Sequence, residues 1–185
     1  MELVEAIFTR HSVNTVKPDA VPREVVEQLL AAAVQAPNHY HVRPWRFVAL
    51  SGAGLGRLGD VMAQSLKKKN PDLPDEALAK EREKALRAPL MIVVGVEKSD
   101  DPRVIADENH SAAAAATQNL LLAAHALGLG AKWRTGPAAY DEDVKRFLGF
   151  EPDQTIIAML YIGYPDREYP VPVRESFDDR TTWME

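Results

Sequence analysis

The sequence predicts a single domain, residues 1–185, in which helices alternate with β-strands. Three observations lead to this prediction. Several stretches carry apolar residues at helical spacing, short continuous apolar runs lie between them, and glycine or proline marks the junctions. With 185 residues, of which 46% are hydrophobic, the chain is long enough to bury a full core without a disulfide or a metal.

The first predicted elements are two helices followed by a strand. One face of the first helix carries the apolar residues Leu3, Val4, Ile7 and Phe8. Pro22 opens the second helix, because proline fits the first helical turn, and Pro37 ends it. Residues 45–50 are rich in aromatic and aliphatic side chains, which is typical of a strand.

The middle of the chain is predicted to add two helices and a buried strand. Residues 55–86 have a helical pattern, but Pro71 and Pro74 interrupt it, so we expect two helices around a turn. Residues 90–96 form a continuous apolar run of strand length. Such a run indicates a central strand that is buried on both faces.

The last predicted elements are two helices and a strand. Residues 111–127 form the longest helix, and Gly128 and Gly130 suit a left-handed C-terminal cap. A further helix follows over residues 141–148, with an aspartate in the N-cap position. Residues 156–162 predict a last core strand.

Composition and charge restrict the functional classes. The chain has no cysteine, so disulfides and thiolate metal sites are excluded. Residues 1–6 are acidic and do not resemble a signal peptide, and the longest nearly apolar stretch, residues 120–127, is too short to span a bilayer. We therefore expect a soluble cytoplasmic protein. The formal net charge of −5 argues against nucleic-acid binding, so any bound phosphate must be held by local positive charge.

Three motif readings are weak. Residues 54–59 fit the G-x-G-x-x-G pattern, but three residues separate them from the preceding strand and no acidic residue follows a second strand. We interpret these glycines as loop and helix-start residues. No Gly-x-Ser-x-Gly elbow marks a nucleophile, and no metal site is expected because the histidines lack ligand spacing. These histidines are His39, His41, His110 and His125.

The tripeptide Arg10-His11-Ser12 directly follows the first helix. A guanidinium and a hydroxyl within three residues offer a phosphate two kinds of hydrogen-bond donor. An arginine at this place also interacts favourably with the free carbonyls and the negative dipole end of a helix. The tripeptide alone is therefore compatible with a helix cap or with a cofactor clamp.

Four segments in order make the chain resemble the nitroreductase family, and in particular its compact bacterial branch. The first is residues 10–12, and the second is residues 36–47, which contain Pro-Asn-His and run into a strand. Residues 118–133 resemble the central helix of the family, its Gly-Leu-Gly turn and the tryptophan that follows. Residues 160–165 resemble the last strand and its exit turn.

The resemblance implies an α+β fold with a mainly antiparallel central sheet flanked by helices. It further implies an intertwined homodimer that holds one FMN in each of two clefts at the subunit interface. Residues 112–116 are all alanine, which permits close helix approach, although the same run also suits packing within one subunit. The proline-rich tail after Gly163 has no obvious core of its own and cannot be helical before about Val173.

The resemblance also assigns the FMN-binding residues. Arg10 and Ser12 are expected to bind the phosphate and the ribityl chain, with a backbone contribution from His11. Gln35 and His39 are expected to reach the FMN of the other subunit; for His39 the alternative is an exposed loop position. The complete expected set is Arg10, His11, Ser12, Gln35, Pro37, Asn38, His39, Lys132, Trp133, Arg134, Thr135 and Arg174.

The roles of the later cations in this set stay open. Lys132 and Arg134 supply positive charge near the phosphate or near the pyrimidine edge, where reduced flavin becomes anionic. Arg174 resembles a C-terminal arginine that larger relatives use on the phosphate, and it ranks below Arg134. His41 and Arg43 replace the asparagine and glutamine typical of larger members. Arg43 suits an anionic acceptor or the phosphate of a nicotinamide donor, or forms a surface salt bridge.

The implied activity is an FMN-dependent oxidoreductase with a ping-pong mechanism. NAD(P)H gives hydride to flavin N5, and a nitroaromatic, quinone or similar small-molecule acceptor then takes it. No side chain is expected to be catalytic, since the protein orients the ring and shapes the cleft. The alternatives are other chemistry on the same fold, as dehydrogenase, dehalogenase or flavin-fragmenting enzyme, and a non-catalytic FMN-binding protein.

Overall fold

A four-stranded antiparallel sheet forms the centre of the protein in the computed structural model, which describes residues 1–99 and 101–185. Its strand order is β1-β2-β4-β3. The strands are β1 Trp45–Ser51, β2 Leu90–Val96, β3 Gly130–Arg134 and β4 Thr155–Gly163. All three strand pairs are antiparallel, which confirms the expected α+β class.

Six α-helices accompany this sheet in the described residues. They are α1 Leu3–Thr9, α2 Arg23–Ala33, α3 Ala53–Lys69, α4 Asp75–Glu83, α5 Ala106–Ala126 and α6 Glu142–Phe147. One core lies between the sheet and helices α2 and α5, and a second lies between the sheet and helices α3 and α6. Every residue of β2 is buried, because this strand is covered on both faces. None of the helices in the described ranges is long and apolar enough to cross a membrane.

The structure confirms most predicted elements, moves the start of one helix and adds strand β3, which was not predicted. Helix α5 starts at Ala106, five residues before its predicted start at residue 111. Its first turn contains Asp107 and Glu108, whose charges are favourable at the positive end of a helix. Gly128, with φ +78°, supplies the predicted left-handed residue after α5.

Gly130 has a different role from the predicted cap, because it is the first residue of strand β3. Its missing side chain lets residue 13 approach closely: a Cβ at Gly130 would lie 2.7 Å from Val13 Cγ1. The glycines of residues 54–59 lie inside α3 and form no phosphate-binding loop. The helix-start interpretation is therefore confirmed, and the loop interpretation is wrong.

The apolar face of α1 points into solvent in the single chain. Leu3, Val4 and Phe8 are each at least 64% exposed, whereas Ala6 is buried against the rest of the protein. The tail adds further exposed apolar side chains, with Val173 at 99% and Trp183 at 76%. An uncovered apolar surface of this kind is typical of a protein–protein interface.

Candidate functional site

The tail brings the guanidinium of Arg174 to the end of α1, beside Arg10. The Nη2 of Arg174 donates a hydrogen bond to the backbone oxygen of Arg10 at 3.2 Å. Burial, followed by the positive charge of Arg174, lowers the pKa of Arg10. Neither guanidinium forms an ion pair with a carboxylate of the described residues. Two neighbouring cations without an acidic partner favour the binding of an anion.

The next residues attach this arginine pair to the edge strand β3. Ser12 forms a parallel bridge with Ala131, and the backbone N–H of Val13 donates to the oxygen of Ala131 at 3.1 Å. Ser12 is exposed, so its hydroxyl is accessible to an anion from solvent. The structure therefore places Arg10, Ser12 and Arg174 next to the start of β3.

The alternation of side chains along β3 separates its two cations from its tryptophan. Lys132 is paired with Tyr161 across the ladder to β4, and Arg134 is paired with Met159. Met159 belongs to the core beneath α3 and α6, and Tyr161 packs against that core. Lys132 and Arg134 therefore share this face, since every second residue of a strand points the same way. Trp133 lies on the opposite face, where its Nε1–H donates to the oxygen of Ile157 at 2.8 Å.

Lys132 and Arg134 line a cavity of about 290 Å³. Asn14, Arg87 and Tyr161 also line it, and the side chain of Asn14 accepts a hydrogen bond from Lys132 Nζ. Three of the lining residues are cationic, and no acidic side chain of the described chain joins them. Burial raises the pKa of Tyr161, against the opposing charges of Arg87 and Arg134. The phenol therefore stays neutral and does not compensate the positive charge of the cavity.

Sequence reasoning missed Asn14, Arg87 and Tyr161. Asn14 lies two residues after the predicted clamp residue Ser12, which would have been a reason to include it. Tyr161 is a polar residue in an otherwise apolar strand, which was a second available signal. Nothing in the local sequence distinguishes Arg87, because it lies in a charged stretch. Only the tertiary structure brings it to the cavity.

The second predicted group lies in the segment after α2. Pro37, Asn38 and His39 line a cavity of about 640 Å³ beside the first half of α5. The Nδ1 of His39 lies 3.3 Å from Glu108 Oε2 on that helix. Gln35 is exposed, and its side-chain amide donates to the oxygen of Ala31 at 3.2 Å.

The two predicted groups do not meet within one chain. The cavity of residues 37–39 borders α5 up to Ala115, whereas Thr9 contacts His125 near the other end of the helix. Ten residues of helix at 1.5 Å each put about 15 Å between these positions. In addition, Lys132 and Arg134 lie on the sheet face that α5 does not cover.

The segment of residues 40–43 has an unusual backbone. Tyr40, His41 and Arg43 have positive φ values of 50°, 55° and 51°, a conformation that is costly for residues other than glycine. Asn38 Oδ1 accepts from the backbone N–H of Arg43 at 2.8 Å, which supports this conformation. Arg43 forms no ion pair with the described carboxylates, so the surface salt bridge considered for it is absent there.

The remaining predicted residues have simpler environments. Thr135 is partly buried directly after β3, in front of Gly136 with φ +63°. The Nδ1 of His11 lies 2.9 Å from the backbone oxygen of Thr9. Over residues 1–99 and 101–185, no group of three or more histidine or acidic residues is arranged to hold a metal ion.

Known proteins resemble this chain along nearly its whole length. A sequence model of the Nitroreductase family matches residues 7–164. The "Putative NAD(P)H nitroreductase YfhC" of Bacillus subtilis is 32% identical over 183 residues, which cover 98% of this chain and 94% of that protein. The crystal structure of a nitroreductase-like family protein from Bacillus cereus superposes with a TM-score of 0.84 at 30% identity, covering 100% of this chain and 97% of the other. A "putative nitroreductase in complex with fmn" from Desulfovibrio desulfuricans shares the fold, with a TM-score of 0.78, 24% identity and coverage of 100% of this chain and 98% of the other.

Proposed function

The chain belongs to the nitroreductase family, and from this premise we propose that it is a cytoplasmic, homodimeric FMN-dependent oxidoreductase. Each FMN would lie in a cleft between two single-domain subunits. When bound, FMN supplies hydride transfer through its N5 atom, from NAD(P)H to a nitroaromatic, quinone or similar acceptor in a ping-pong cycle. The chain's own residues bind the cofactor, orient it and set the charge around it.

The observation that carries this proposal is that Arg10 and Arg174 lie side by side without a carboxylate partner. The pair lies beside the exposed Ser12, and no described carboxylate neutralises it. A phosphate dianion satisfies both guanidiniums and accepts a hydrogen bond from the serine hydroxyl. Arg174, which sequence comparison ranked below Arg134, is therefore the better second phosphate ligand.

The cavity beneath β3 suits the ring end of the cofactor. Its cations Arg87, Lys132 and Arg134 favour a ring that gains negative charge on reduction. We assign Lys132 and Arg134 to this end of the cofactor, because strand alternation turns both into the cavity. The cavity volume of about 290 Å³ is at the lower limit for a ligand site, so a partner subunit is needed to complete the cleft.

Two observations support the dimer. The apolar face of α1 and the apolar side chains of the tail are exposed in the single chain, and a second subunit would cover them. In addition, Gln35 and the cavity of residues 37–39 lie far from the β3 cavity of the same chain. In a dimer these residues are free to contact the flavin of the partner.

We propose that residues 40–43 border the part of the flavin cleft in which the electron acceptor and the nicotinamide donor bind. Arg43 has no described ion-pair partner and a strained backbone, as functional loops often have. We propose that it contacts an anionic acceptor or a phosphate of the nicotinamide donor. His41 is its neighbour on the same strained segment and shapes the same side of the cleft.

The decisive experiment is purification followed by identification of the released flavin. The wild-type protein is expected to be yellow, to release FMN, and to be reduced by NADH or NADPH. Arg10→Ala removes at least one charge-assisted hydrogen bond worth about 1.5–3 kcal/mol, which is expected to weaken FMN binding at least roughly 10- to 150-fold. The matched control is Arg23→Ala, which removes an exposed arginine on α2 that is paired with Glu27.

Different outcomes separate the alternatives. Wild-type FMN affinity in Arg10→Ala contradicts the phosphate clamp. Bound FMN that is reduced by neither nicotinamide favours a non-catalytic FMN-binding protein. Reduction without transfer to nitro compounds or quinones favours other flavin chemistry on the same fold. A colourless monomer that takes up no FMN contradicts the whole proposal.

A further inference from the structure

A cluster of four side chains at the exit of α1 is not used by the proposed cofactor site. It consists of Thr9 and His11, of His125 near the end of α5, and of Tyr169 in the tail. The ring centroid of His11 lies 6.1 Å from that of His125 and 5.7 Å from that of Tyr169. The cluster therefore joins the segment of Arg10 to a core helix and to the tail.

The hydrogen bonds of Thr9 determine which atoms donate. Its hydroxyl has a single proton, which goes to the backbone oxygen of Glu5 at 2.7 Å, because a carbonyl only accepts. The contact of 2.8 Å between Thr9 Oγ1 and His125 Nε2 must then be a bond donated by the imidazole. By the same argument, His11 Nδ1 donates to the backbone oxygen of Thr9 at 2.9 Å.

Two imidazoles thus hold Thr9 from different sides, and Arg10 is the next residue. The backbone N–H of Arg10 donates to the oxygen of Ala6 at 3.0 Å, and its own oxygen accepts from Arg174. The free ring atom His11 Nε2 is buried and has no hydrogen-bond partner in the described chain. This ring is thus held by its Nδ1 bond and by contacts with the two other rings.

The electrostatics of the cluster keep His125 neutral. Burial contributes most to lowering the pKa of His125; the neighbouring His11 and Arg10 act in the same direction, and Glu5 acts in the opposite one. The neutral ring carries its one proton on Nε2, as the bond to Thr9 requires. A second proton would add a positive charge close to that of Arg10.

We propose that His125 is a positioning residue for the phosphate clamp. Through Thr9 it fixes the direction in which the chain leaves α1, and so the place of the Arg10 guanidinium and the Ser12 hydroxyl. This role rests on the proposed function, because it presupposes a phosphate-bearing flavin at Arg10. His125 itself need not touch the cofactor, since its bond is to Thr9.

FMN and riboflavin differ only in the phosphate, so a comparison of their binding tests this role. The dissociation constants of FMN and riboflavin are measured for each variant by quenching of flavin fluorescence. His125→Phe keeps a ring but removes the donor, and it is expected to weaken FMN binding about tenfold while riboflavin binding stays within about twofold of wild type. His125→Gln offers an amide donor at a similar place and is expected to restore most of the preference for FMN.

A second histidine of α5 provides the matched control. His110 contacts the oxygen of Ala106 and the hydroxyl of Thr155 at the opposite end of the helix. His110→Phe therefore removes an imidazole from the same helix without touching Thr9, and the ratio of the two dissociation constants is expected to stay at its wild-type value. Thr9→Val removes the acceptor instead of the donor and is expected to match His125→Phe. The double variant is expected to be no worse than either single one.

The outcomes distinguish this role from the proposed function. If the wild-type protein does not bind FMN more tightly than riboflavin, the phosphate clamp itself is refuted. If the wild type prefers FMN and both His125→Phe and Thr9→Val keep that preference, only the positioning role is refuted. If these variants lose affinity for FMN and riboflavin equally, the positioning role is also refuted, because such a loss indicates a general structural defect and not a displaced phosphate ligand. If His125→Phe does not fold, Thr9→Val decides alone.

Discussion

Gly130→Ala is expected to separate residues 10–13, which contain the proposed phosphate ligands Arg10 and Ser12, from strand β3. A Cβ at this position would lie 2.7 Å from Val13 Cγ1 and within 2.9 Å of two further Val13 carbons. Apolar carbons pack at about 3.5–4.0 Å, so Val13 must retreat by about 1 Å. Val13 is only 6% exposed, which leaves its side chain little space to rotate away. The backbone must therefore move instead.

The size of the effect follows from the contacts that this movement breaks. The bond between Val13 N and Ala131 O is 3.1 Å long, and a shift of about 1 Å takes it beyond hydrogen-bonding distance. Overpacking of this kind costs about 1–3 kcal/mol of folding free energy. Because Ser12 and Arg10 directly precede Val13, we also expect FMN affinity to fall about tenfold or more.

Thermal unfolding and flavin titration measure the two effects separately. Val13→Ala in the Gly130→Ala background removes the clashing methyl groups and is expected to restore FMN binding. Gly56→Ala is the matched control, because a Cβ there meets nothing within 4 Å and lies in α3. Wild-type FMN affinity in Gly130→Ala, or no rescue by Val13→Ala, would refute the reasoning.

Two further predictions concern the dimer and acid stability. Phe8→Asp is expected to weaken the dimer about 10³-fold, since about 2 kcal/mol of apolar burial is lost in each subunit. Light scattering measures the change, and Gln64→Asp on α3 is the control. A Phe8→Asp protein that stays dimeric contradicts the proposal. Burial acts to raise the pKa of Asp141, but hydrogen bonds from Lys69, Ser65 and the Val144 N–H outweigh it and lower the pKa. The ionised group therefore stabilises the fold above its unfolded pKa of about 4, and this stability is lost as the pH falls through the lower folded pKa. Asp141→Asn is expected to cost about 1 kcal/mol in urea unfolding at pH 7 and progressively less in acid; an equal loss at all pH values contradicts this.

Sequence patterns predicted those elements whose signal is local. The unbroken apolar run of β2 and the glycine after α5 each have one physical explanation, and both predictions are confirmed. Strand β3 was missed because five residues with two cations show no apolar periodicity. Its strand state depends on pairing with β4, which no local pattern contains.

The candidate site was predictable where one short segment carries the chemistry. The tripeptide after α1 is of this kind. Arg174 of the tail was also a candidate, ranked below Arg134, and the structure brings it to the backbone oxygen of Arg10. The β3 cavity was less predictable, because Asn14, Arg87 and Tyr161 come from three distant parts of the chain. The exposure of the apolar face of α1 was not predictable either, since periodicity shows that a face exists but not what covers it.

The contact between Arg174 and Arg10 also determines when the site is complete during synthesis. The two residues are 164 positions apart, and the Thr15–Tyr169 contacts span 154. At about 5–20 residues per second, a ribosome reaches Arg174 roughly 8–30 seconds after Arg10. The nascent chain therefore lacks the second guanidinium of the proposed phosphate clamp until residue 174 has been made. If this clamp binds FMN as proposed, we expect loading to follow the synthesis of Arg174, because a chain that stops before it retains Arg10 and Ser12 but lacks the second guanidinium.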